Sequence, residues 1–84
     1  MMTNYTSISQ YWQLVELTLM HVLGHSRDSA SKLVAEARKV ITVEREEDMA
    51  DLDPPLYVAT DLAGVVEVTE EMDEMYLALV LMHV

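Results

Sequence analysis

Eighty-four residues with a formal net charge of -10, from 15 acids and 5 bases, suffice for one small domain and leave no room for a second. That charge argues against direct nucleic-acid binding, which needs Lys and Arg to displace counterions, and against docking on anionic membranes. The lack of Cys excludes disulfides, a thiol nucleophile, Cys-ligated zinc and iron–sulfur clusters, and two glycines, Gly24 and Gly64, cannot build a Gly-rich phosphate loop.

The first seven residues carry neither a basic stretch nor an apolar run, so they do not read as a signal peptide. The first strong pattern is a helix over residues 7–23. Ile8, Tyr11, Trp12, Val15, Leu19, Val22 and Leu23 recur at the spacing of one helical face, and Leu14, Leu17 and Met20 widen it, as a central helix requires. Ser7 followed by Gln10 is a capping-box pattern, and Gly24 suits the left-handed position after a helix end.

A second helix is expected from residue 27, capped by Ser26, with Asp28 in its first turn where a carboxylate suits the dipole. Ala30, Leu33, Val34, Ala37, Val40 and Ile41 form its apolar stripe. The pattern can run on to residue 50, although the β-branched Ile41-Thr42-Val43 offers an earlier end. The short connection between the first two helices predicts a helical hairpin, 7–23 against 27–50.

Asp53-Pro54-Pro55 breaks the chain and opens a short helix over 54–63, with Asp53 as cap and Pro54 in the first helical position. Gly64 stops it, and Val65 to Val68 is extended. Thr69 then caps a last helix over 70–83, with Glu70, Glu71 and Asp73 at its positive end. Residues 75–84 are apolar almost all round. Such a run is either a helix buried on all sides or a strand from Tyr76 to Val84 paired with Val65 to Val68. Leu, Met and Ala without period-2 alternation favour the helix. At ten residues the run has half the length of a membrane span. The expected fold is an all-α bundle of three to four helices forming a single domain over residues 1–84. The third helix would cap the core, and the last would fill a groove or a dimer interface.

Few constellations point to chemistry. His21 and His25 have the i, i+4 spacing of two zinc ligands, but Gly24 intervenes and Val22 stands where the zincin motif has Glu, so no metal site is assigned. Asp48, Asp51 and Asp53 resemble a calcium loop only in part. Counted from Asp51, Leu56 stands where the loop needs Gly and Leu62 where it needs Glu. No nucleophile motif is present, and the acidic pairs have no cleft to flank in so short a chain. We expect a non-enzymatic protein without a cofactor.

Charge is the most informative signal. Residues 1–43 hold three acids and four bases, whereas residues 44–84 hold twelve acids and a single base, Arg45. Glu44, Glu47, Asp48 and Asp51 fall on one helical face, and Glu67, Glu70, Glu71 and Glu74 repeat the spacing. Like charges so placed repel one another, and a surface needing only solubility would mix Lys among them. The expected function is to bind a basic protein surface, as an inhibitor or an immunity-like partner in the cytoplasm. The alternative is a structural homodimer or accessory subunit whose acids are merely solvated. Its seam would be Met72, Met75, Tyr76, Leu79 and Met82 on the last helix.

Overall fold

The computed structural model describes residues 8–83; of residues 43, 49–52 and 83 it describes the backbone only. Five helices follow one another: α1 (Ile8–His21), α2 (Arg27–Val40), α3 (Val43–Leu52), α4 (Pro55–Ala63) and α5 (Glu70–His83). The all-α class is as expected, with one helix more than the three or four anticipated. Residues 76–83 are helix, not strand. The proposed capping box at Ser7 lies outside the described residues.

α1 is the hub, packed against each of the other four helices. Its Tyr11, Trp12, Val15 and Leu19 are buried against Ala30 and Val34 of α2 and Val58 and Ala59 of α4. α4 packs more extensively on α1 than any other helix does, so the short helix is part of the core and not a cap over it. A second apolar cluster joins Leu56 of α4 to Tyr76 and Val80 of α5, with Val22 and Val68 packed around it. The buried Thr18 hydroxyl of α1 is satisfied within the helix, its Oγ1 donating to the Leu14 carbonyl at 2.6 Å.

The expected helix 27–50 is divided. Ile41 is extended (φ -98°, ψ 131°), and Thr42 starts a new helix. The Thr42 hydroxyl accepts from the Arg45 amide at 3.1 Å, and its carbonyl accepts from the Glu46 amide at 2.9 Å. Two causes act together. Three β-branched residues in a row crowd a helix, and Thr is a better cap than helix interior.

The start of α4 also differs by one residue. Pro54, not Asp53, is the cap, and Pro55 is the first helical residue. A residue that precedes proline is pushed out of the helical region, so Pro55 holds Pro54 extended (φ -60°, ψ 144°) and delays the helix. Asp53 instead offers its carbonyl to the Tyr11 hydroxyl at 2.8 Å, tying α1 to the junction of α3 and α4.

The first helix ends two residues earlier than expected: α1 stops at His21, and Val22 and Leu23 lie between it and Gly24 (φ 78°). The remaining expected ends hold. Ser26 Oγ accepts from the Ser29 amide at 3.1 Å, and Thr69 Oγ1 from the Met72 amide at 3.2 Å. Gly64 closes α4 in the left-handed region (φ 74°), with the Val65 amide donating to Thr60 and the Gly64 amide to Asp61. A side chain there would be strained, which is why glycine occupies the position.

Candidate functional site

The break at Ile41 sets the rotation of α3 and thereby sorts its acids. Glu46 turns inward. Its Oε2 accepts from the indole Nε1 of Trp12 at 2.5 Å and from Arg38 Nε at 3.1 Å. The Arg38 guanidinium also lies over the Trp12 ring, 5.6 Å from its centroid. One carboxylate thus joins α1, α2 and α3. Trp12 is 2 % exposed, so its N–H would otherwise be buried without a partner. Sequence spacing does not single out Glu46, because one acid among neighbouring acids carries no mark of direction until the start of the helix is known.

Glu44, Glu47 and Asp48 face solvent on α3. Asp51 belongs to the same helix, and its side chain lies outside those described. Glu70, Glu71 and Glu74 are exposed on the first turns of α5. Glu67 is exposed too, but it stands in the non-helical segment before α5, so the helical spacing does not extend to it. Among the described residues the only ion pair is Arg38–Glu46. Among the described residues, then, the exposed acids of α3 and α5 make no ion pair with the basic half of the chain. Among them, too, α3 and α5 each pack on α1, with at most a marginal contact between them.

The five residues expected to form a self-association seam are divided by the fold. Tyr76 and Leu79 are buried within the chain. Met72 is half-buried and its sulfur accepts from the Thr69 amide at 3.5 Å, taking the place that Glu or Gln holds in a capping box. Met75 and Met82 stay on the surface, where they are joined by Leu77 and Leu81. Leu81 is 83 % exposed, Met82 76 % and Leu77 54 %. At about 1.5–3 kcal/mol for each such side chain fully covered, this outer face of α5 is a substantial unspent driving force. Met75, Ala78, Leu79 and Met82 also line a shallow apolar groove with His21.

A second groove, of about 460 Å³, runs between α1 and α2. Trp12, Leu17, Met20 and Val34 give it apolar walls, Ser9, Gln13 and Glu16 add polar groups, and Arg27 and Arg38 stand along its α2 side. The two arginines are eleven positions apart, three helical turns, which places them on the same side of α2. The sequence shows this spacing, but the groove itself depends on how α1 and α2 cross.

His21 is exposed, and His25 lies beyond the end of α1, with Nδ1 3.1 Å from Ser29 Oγ. Among the described residues no group of three or more His, Asp or Glu is placed to hold a metal ion. Among them, too, no helix is long and apolar enough to cross a membrane.

No family model, curated protein or solved structure matches the chain. Function is therefore read from the chain's own surface.

Proposed function

We propose that this protein is a non-enzymatic, acidic interaction protein that engages a basic protein surface, acting as an inhibitor or immunity-like partner. One observation carries the reading: Glu44, Glu47, Asp48, Glu67, Glu70, Glu71 and Glu74 are all exposed, and none is ion-paired among the described residues. The one acid so engaged among those residues, Glu46, serves the fold. The exposed ones on α3 and α5 repel their neighbours along each helix and gain nothing from them. Exposed acids on both α3 and α5 favour long-range attraction of a cationic partner, raising the association rate at low salt. Exposed apolar side chains on α5 supply the contact that holds the partner once it has docked.

The test is affinity capture from the host lysate at low salt, using the full chain and a variant with Glu44, Glu47, Asp48, Glu70, Glu71 and Glu74 changed to Lys. One basic protein, retained in stoichiometric amount by the wild type alone and released by salt, is the expected result. The same proteins retained by both chains would overturn the reading.

A second reading has its own support. The outer face of α5 leaves Leu77, Leu81 and Met82 in water, which favours self-association of the chain as a structural protein or accessory subunit. Light scattering across concentration separates the two. A chain that remains monomeric removes the second reading and leaves the first standing.

A further inference from the structure

The self-association reading leaves open which surface covers α5, and the fold offers a specific one. On the outer face of α5 the carboxylates Glu70, Glu71 and Glu74 come first, followed by Leu77, Ala78, Leu81 and Met82. The groove between α1 and α2 offers Trp12, Leu17, Met20 and Val34 beside two arginines, with Ser9, Gln13 and one carboxylate, Glu16, on its α1 side. We propose that a second copy of this chain occupies that groove, inserting the outer face of its α5 head to tail. The inference rests on the self-association reading and gives it a geometry.

Charge selects this pairing over one between two α5 helices. If two α5 helices met side by side and parallel, their carboxylates would face each other. If they met antiparallel, each acidic end would face Leu81 and Met82 of the other copy, with no Lys or Arg on either helix to meet it. The groove supplies one. Arg38 is already held by Glu46, whereas Arg27 is exposed and makes no ion pair among the described residues. Arg27 is therefore the cation available to Glu71 and Glu74 of the incoming helix.

Length agrees as well. Glu71 to Met82 and Arg27 to Arg38 are each eleven positions, about 16 Å of helix. With the acidic end of α5 at Arg27, its apolar end reaches Trp12, and α5 runs parallel to α2 of the receiving copy. A head-to-tail contact that does not close into a ring or a reciprocal exchange leaves each dimer with one free groove and one free α5.

That property provides the test, made by light scattering and analytical ultracentrifugation of the full chain over a range of concentrations. Leu81→Lys blocks α5, and Gln13→Glu with Arg27→Glu blocks the groove. All three side chains are solvent-exposed, and circular dichroism checks that each variant is folded. Met82→Lys, also exposed, replaces Leu81→Lys if helicity is lost. The wild-type mass is expected to rise past that of a dimer, and each variant alone to associate at least tenfold more weakly. An equimolar mixture of the two variants should regain association and stop at the dimer, because one intact α5 meets one intact groove. A wild type that stays monomeric overturns this inference and the self-association reading together. A wild type that stops at the dimer, or variants that do not regain association when mixed, overturns the head-to-tail contact alone.

Discussion

α1 and α5 are both fourteen-residue helices rich in Leu and Met, yet the fold treats them differently. α1 buries Tyr11, Trp12, Leu14, Val15, Thr18 and Leu19 and meets all four other helices. α5 buries Tyr76, Leu79 and Val80 and leaves Met75, Leu77, Leu81 and Met82 on the surface. Among the described helices one takes the centre. The apolar end of α5 is covered on one side only, and its other side stays in water. The acids follow the same division. Glu46 beside the centre is bound by two donors, whereas the acids of the outer faces are bound by none among the described residues.

The sharpest way to break the comparison is to damage the centre. Trp12→Ala removes the indole that holds Glu46 and Arg38, and should cost about 3–5 kcal/mol, measured as a fall in the urea midpoint. A cost below about 1 kcal/mol would mean that α1 is not the hub. Next, Glu46→Ala leaves the Trp12 N–H buried and unpaired, for a loss of about 1–3 kcal/mol. The adjacent Glu47→Ala should shift stability by less than about 0.5 kcal/mol, since Glu47 faces solvent. If the two substitutions had equal effects, the proposed inward turn of Glu46 would be wrong. Thr69→Ala removes the cap of α5 and should cost about 1 kcal/mol, visible in the thermal midpoint and in helicity. The smallest effect belongs to Leu81→Gln, within about 0.5 kcal/mol in dilute solution. A large loss there would show that the outer face of α5 is already covered.

Much of this division is legible in the sequence where local chemistry decides. Ser26, Thr69 and Gly64 mark helix ends because a hydroxyl cap and a left-handed residue act within one turn. The exposed acids of α3 and α5 can be read from their spacing, since few folds bury so many carboxylates. The divided second helix is half legible. Ile41-Thr42-Val43 signals a break, but continuing amphipathic spacing argues against it, and the Thr42 cap decides the outcome. Asp53 has the side chain of a cap but does not act as one, because the constraint of Pro55 on Pro54 outweighs the preference of Asp for that position. The burial of Tyr76 and Leu79 rather than Leu77 and Leu81 is not legible. A helix apolar on every side has no phase until its neighbours are in place. The groove beside Arg27 and Arg38 likewise exists only once α1 and α2 have crossed.

Amide hydrogen exchange, followed by mass spectrometry in dilute solution, tests the contrast between α1 and α5 most directly. The central amides of α1 should exchange only through global unfolding, and those in the last two turns of α5 at least tenfold faster through local opening. Equal protection of the two helices would contradict the account, because it would mean that α5 is held on both faces by the chain itself.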